Sequence, residues 1–228
     1  MGKQFSLTAA DQHQLGAYRA DPQNLPQGGK PKGAIVVIQE IFGVNKNIRQ
    51  TCDEFAAEGY VAIAPALFDR KKKNFESGYS AEEVTEARKF LENPDIDAML
   101  RDTQAAINEV KGAGPVGIVG YCLGGSIAFL AATRLSGLKA AVGYYGGMVA
   151  KNADEKPKIP VMLHFGATDP SIPMADVETI KQKRPDVEVH VYDGAGHAFS
   201  NSDRPNFHTP SAKIAGERTR AFFAKHLK

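Results

Sequence analysis

Val116-Gly117-Ile118-Val119-Gly120-Tyr121-Cys122-Leu123-Gly124-Gly125-Ser126-Ile127-Ala128-Phe129-Leu130 is the stretch whose reading decides the fold. Val116 to Val119 is a short β-branched run of the kind a buried strand needs, and the residues from Gly125 begin a helical pattern. Between them, Gly120 to Gly124 matches G-x-S-x-G, the turn that presents a nucleophile, with cysteine in place of serine. The glycines have a mechanical reason. A side chain at Gly120 or Gly124 would crowd the sharp turn that lifts residue 122 above the sheet at positive φ.

Two further residues follow in the order that α/β hydrolases use, nucleophile, acid, histidine. The apolar run Val161 to Gly166 leads into Ala167-Thr168-Asp169-Pro170, which places Asp169 in the loop after a buried strand. Val187 to Tyr192 is another strand, and Asp193-Gly194-Ala195-Gly196-His197 follows it. Taken singly, Cys122 reads as a small packing residue, Asp169 as a loop carboxylate and His197 as a surface histidine. Their order along the chain outweighs those separate readings and assigns Cys122, His197 and Asp169 as nucleophile, base and acid. His197 can accept the thiol proton, Asp169 can hold the imidazole, and the amino end of the elbow helix favours thiolate. Leu123 N–H is then one donor to the oxyanion.

Working outward, Phe5 to Thr8 and Gln14 to Arg19 form an antiparallel hairpin at the sheet edge. Ala34 to Ile38 is a continuous apolar strand buried on both faces of a mostly parallel sheet. A helix from Asn47 to Glu58 and a strand from Tyr60 to Ala64 complete a βαβ unit. Asp69 to Gly78 is a polar loop in which Arg70 to Lys73 is a solvated basic run. Ser80 with Glu83 is a capping box opening a helix that ends near Asn93, and Asp95 caps another reaching Lys111. A strand from Ala140 to Tyr145 follows the elbow helix. The last strand alternates Val187, Val189 and Val191 against Glu188, His190 and Tyr192, which predicts one exposed face. A final helix spans Ser211 to His226. Residues 1–228 thus read as a single α/β-hydrolase domain, with helices flanking the sheet.

A chain of 228 residues buries a sizeable core. Its 28 basic and 26 acidic residues leave a net charge of +2, which gives no general drive toward nucleic acid. The two cysteines are far apart, so neither a metal cluster nor a disulfide framework is expected, and Cys52 reads as buried and inert. The amino terminus lacks the apolar core of a signal peptide and no run is long enough to span a bilayer, which points to the cytoplasm. Met-Gly-Lys-Gln-Phe-Ser matches a loose myristoylation pattern, discounted because nothing else supports a membrane. His164 and His190 read as structural, Tyr121 and Phe42 as packing residues, and His208, which precedes the final helix at a place that could border the pocket, is given no role.

A cysteine on this turn resembles the dienelactone hydrolase (carboxymethylenebutenolidase) family. The resemblance rests on Gly-Tyr-Cys-Leu-Gly-Gly at the elbow, Ala-Gly-His-Ala-Phe at 195–199, Gln39-Glu40-Ile41-Phe42-Gly43-Val44-Asn45, and Val142-Gly143-Tyr144-Tyr145-Gly146. It implies that Ile41 N–H is the second oxyanion donor. It also implies that Glu40 holds the resting thiol and takes its proton when substrate binds, which limits oxidation of an exposed thiolate. Tyr144 and Tyr145 are expected to line the pocket. Family members clamp a substrate carboxylate with two arginines, one of them four residues after the histidine, where this chain has Asn201. The other falls at Val84, one helical turn before Arg88, so Arg88 and Arg204 are the basic residues available for such a clamp.

The expected activity is hydrolysis of small esters or lactones through an acyl-cysteine, with no metal and no cofactor. The expected partner is that small molecule, not nucleic acid or membrane, and the chain itself is a monomer or weak homo-oligomer. The competing readings are a general carboxylesterase or thioesterase, and a catalytically silent protein that binds a ligand or senses oxidants through Cys122.

Overall fold

A computed structural model describes residues 2–23, 25 and 28–228. Ala34 to Ile38 is too apolar to face water on either side, and it forms strand β3 (Ala34–Ile38), buried throughout. The sheet around it has eight strands in the order β1-β2-β4-β3-β5-β6-β7-β8. β1 (Lys3–Thr8) and β2 (Gln14–Ala20) form the antiparallel edge, and β2 also pairs antiparallel with β4 (Val61–Pro65). From β4 through β3, β5 (Val116–Tyr121), β6 (Leu138–Tyr144) and β7 (Val161–Gly166) to β8 (Glu188–Tyr192), all pairing is parallel.

Strand order places the site. The chain leaves β3 toward β4 on one side, and from β5 it proceeds to β6 on the other, so β3 and β5 flank the point where a crevice opens at the carboxyl ends of the strands. Their register pairs Ile38 with Gly120, and that of β5 with β6 pairs Tyr121 with Tyr144. The loops carrying Glu40, Cys122 and Tyr145 therefore leave the sheet side by side.

The helices begin where the sequence supplies caps. Asn45 accepts from Ile48 N–H to start α1 (Lys46–Ala57), Ser80 and Glu83 make a reciprocal capping box at α2 (Ala81–Arg88), and Asp95 accepts from Ala98 N–H at α3 (Ile96–Val110). α4 (Leu123–Arg134) packs on β5 and β6 and is buried along nearly its whole length. α6 (Thr209–His226) joins α1 on one face, where Phe55 and Phe223 meet edge to face at 6.0 Å. None of the described helices is long and apolar enough to cross a membrane.

Three features differ from the sequence expectation. α5 (Met174–Lys183) lies between Asp169 and β8, a segment given no element because only Val177 and Ile180 of it are buried. The Glu188, His190, Tyr192 side of β8 is exposed only at Glu188. Tyr192 is buried, its hydroxyl bonded to His164 at 2.8 Å and to Arg218 of α6, and the His190 ring stacks on His164. Nor is Arg70 merely solvated. Its guanidinium bonds both oxygens of the fully buried Asp102 at 2.9 and 2.7 Å and reaches Asp11, because a carboxylate inside α3 needs a partner.

Candidate active site

Cys122 holds φ 55° between β5 and α4, a left-handed conformation costly for any residue with a side chain. Backbone bonds over-determine it. Its N–H donates to Tyr144 O at 3.0 Å, and its carbonyl accepts from Gly125 and Ser126 N–H. A Cβ on Gly120 would overlap the Gly124 carbonyl, and one on Gly124 would overlap the carbonyl of Ile38, so both must be glycine. The thiol sits at the amino end of α4, where the helix dipole favours negative charge. Cys52, by contrast, is wholly buried in α1, and desolvation followed by the charge of Asp53 drives its thiol far up from the ordinary range.

His197 Nδ1 lies 2.7 Å from Asp169 Oδ2, and Ser171 N–H donates to the other carboxylate oxygen at 2.8 Å. Asp169 is therefore held at both ends. The two loops are stitched together where Thr168 donates through its hydroxyl and its N–H to Ala195 O. With Nδ1 turned to Asp169, the remaining ring nitrogen is left for Cys122. Burial disfavours the imidazolium, but bonding to Asp169 and Cys122 and their negative charges outweigh it and raise the His197 pKa to about 10.

Glu40 leaves β3 into the same space and is 3% exposed. Asn201 Nδ2 donates to its Oε2 at 2.8 Å and also reaches the Tyr79 hydroxyl at 3.0 Å. Burial pushes the Glu40 carboxyl up, partly offset by the Asn201 bond and by the charges of Arg204 and His197. Among the described residues no hydrogen bond joins Glu40 to Cys122. Ile41 and Leu123 are buried beside the thiol, and neither N–H has a protein acceptor among the described residues.

Cys122, His197, Glu40, Ile41 and Leu123 border one cavity of about 430 Å³. Arg88 and Arg204 border it too, with Arg204 lying over the rings of Phe42 and Tyr79 at 5.2 and 5.3 Å. Seven of the ten arginines reach a carboxylate, but these two have no such partner among the described residues, which leaves their charge to the cavity.

Tyr144 and Tyr145 do not line it, contrary to expectation. Both are buried beneath the site, their hydroxyls bonded to Thr219 at 2.6 Å and Ser200 at 2.9 Å. Tyr144, the last residue of β6, and Tyr145, just beyond it, turn inward instead of toward the crevice, and the Tyr145 ring backs His197 at 5.1 Å. Phe42, read as packing, is a cavity wall, and His208 is bonded to Ser211 at the start of α6, away from it. Met148, Lys151 and Ser171 line the cavity unforeseen. Their only signal was position, in loops after the carboxyl ends of parallel strands.

A mostly parallel sheet whose central strand delivers a cysteine through a strained turn, with a histidine and its acid following later strands, is the α/β-hydrolase fold, and the protein is a hydrolase of that class. A sequence model of the dienelactone hydrolase family matches residues 15–227, and the chain belongs to that family. It is 36% identical to a protein of Synechocystis sp. provisionally named a carboxymethylenebutenolidase, over 94% of this chain and 93% of that one. It is 33% identical to a carboxymethylenebutenolidase of Pseudomonas putida, over 96% and 95% respectively. Among solved structures, one from Klebsiella pneumoniae, provisionally assigned as a dienelactone hydrolase, superposes with a TM-score of 0.86 at 31% identity, covering 99% of each chain. The protein is accordingly a dienelactone hydrolase-like enzyme of the ester and lactone hydrolases.

Proposed function

We propose that the protein hydrolyses small anionic esters or lactones through an acyl-cysteine intermediate. The observation that carries this reading is the His197 imidazole, held by Asp169 at 2.7 Å on one nitrogen and raised in proton affinity by Cys122 on its other side. The Cys122 sulfur attacks the carbonyl carbon, and the oxyanion accepts from Ile41 and Leu123 N–H. His197 gives its proton to the departing alkoxide and then takes one from the water that cleaves the thioester, with Asp169 fixing the ring and stabilising the imidazolium. Glu40 accepts the thiol proton during acylation and returns it to the thiolate that departs when the thioester is cleaved. Arg88 and Arg204 bind an acidic group on the substrate, and their lack of carboxylate partners among the described residues supports that role.

An activated aryl ester gives the test. Mixing it with enzyme should release a burst of product stoichiometric with protein, followed by slower turnover. Cys122→Ala should show no burst. A burst of equal size in that variant would reject the acyl-cysteine.

A further inference from the structure

The loop after His197 bends back so that Asn201, 2% exposed, lies against Glu40, a residue 161 positions away in the chain. The asparagine is fully committed. Nδ2 donates to Glu40 Oε2 at 2.8 Å and to the Tyr79 hydroxyl at 3.0 Å, and Oδ1 accepts from Asp203 N–H at 3.0 Å. Glu40 Oε1 is left without a hydrogen-bond partner among the described residues, and Glu40 borders the cavity.

We infer that Asn201 is a positioning residue for the hydrolytic reaction, acting through Glu40: its neutral amide anchors one carboxyl oxygen and leaves the other free to exchange a proton at the edge of the cavity. This rests on the reading of Glu40 as proton acceptor given above. An arginine at residue 201 would place a full positive charge beside Glu40 and favour its ionised form further. An amide orients the group without that charge. The other groups acting on Glu40 are His197 and Arg204, which favour its ionised form, with Tyr79, Tyr145 and Tyr121 coupled to it as neutral phenols.

Stopped-flow acylation by an aryl ester, measured against pH, tests the assignment in Asn201→Asp, Glu40→Gln and the double variant, with melting of each recorded. Asn201→Asp is the same size but offers an acceptor where a donor stood. It should slow acylation at neutral pH roughly 10- to 100-fold, the worth of one hydrogen bond to a carboxylate. It should also move the acid limb of the profile to higher pH, since Glu40 loses the donor that stabilises its ionised form. In Glu40→Gln that limb should be absent, and adding Asn201→Asp should cost less than about twofold more. An equal cost of Asn201→Asp in both backgrounds, or a lower melting temperature with the acid limb unmoved, overturns the role of Asn201 alone. Wild-type acylation by Glu40→Gln would instead remove Glu40 from the reaction, and the role of Asn201 with it.

Discussion

His164 and His197 lie near the same end of the sheet and hold protons in opposite ways. His164, inside β7, is completely buried, with a tyrosine hydroxyl on Nδ1 at 2.8 Å and the Thr219 hydroxyl on Nε2 at 3.1 Å. Burial, with His190 and Arg218 close by, holds its pKa well below the ordinary histidine value. His197 is also largely buried, yet its pKa rises to about 10 because a carboxylate and a sulfur face its two sides. Burial therefore does not decide what an imidazole does. Neutral hydroxyls leave His164 a neutral strut, whereas charged partners raise the proton affinity of His197.

The harshest way to break this comparison is to remove the sulfur. Cys122→Ala should keep the fold and lower ester turnover by roughly 10⁴–10⁶-fold, whereas Cys52→Ala should turn over at nearly the wild-type rate. Steady-state assays on both variants check it, and loss of activity in Cys52→Ala would mean that the buried cysteine also serves the reaction.

Removing the carboxylate is the next step down. Asp169→Asn should reduce turnover by about 10²–10⁴ while substrate affinity changes much less, because an amide can hold the wrong tautomer and does not stabilise the imidazolium. The KM and kcat of the variant separate the two effects. An unchanged kcat would dismiss Asp169 as the acid.

On the other side of the comparison, Thr219→Val should leave His164 Nε2 and the Tyr144 hydroxyl short of a partner. The expected cost is about 1–3 kcal/mol of stability in urea unfolding, with acylation near the wild-type rate. Strong loss of acylation at unchanged stability would show that His164 belongs to the chemistry.

The subtlest signature is the pH dependence of stability. His197 has a folded pKa above its unfolded value near ~6.5, so its contribution is full below that pH and is lost as pH rises toward about 10. His164 has a lowered folded pKa, so its contribution is present above pH ~6.5 and is lost as pH falls below it. Melting temperature should decline on both sides of that value, and Asp169→Asn should flatten the alkaline decline alone. An alkaline decline as steep in that variant as in the wild type would break the link to His197.

Most strands were legible because each announces itself locally. Ala34 to Ile38 is apolar throughout, and the caps Asn45, Ser80 and Asp95 stand where their helices begin. α5 is hard to read because its short, half-exposed pattern carries little periodicity, and the covered side of β8 because α6 comes from far along the chain to pack on it. Tyr144 and Tyr145 mislead for a related reason: proximity in sequence to a site does not tell which way a strand end turns its side chains.

Local sequence determined the elbow, since five residues contain both the cysteine and the glycines without which the turn would overlap itself. Chain order was enough to nominate Asp169 and His197. Only the tertiary structure decided that Asn201 meets Glu40, that Arg88 and Arg204 share a cavity, and that one histidine is raised and the other depressed in proton affinity. Electrostatic environment is a sum over groups brought together from distant parts of the chain, and no window of sequence contains that sum.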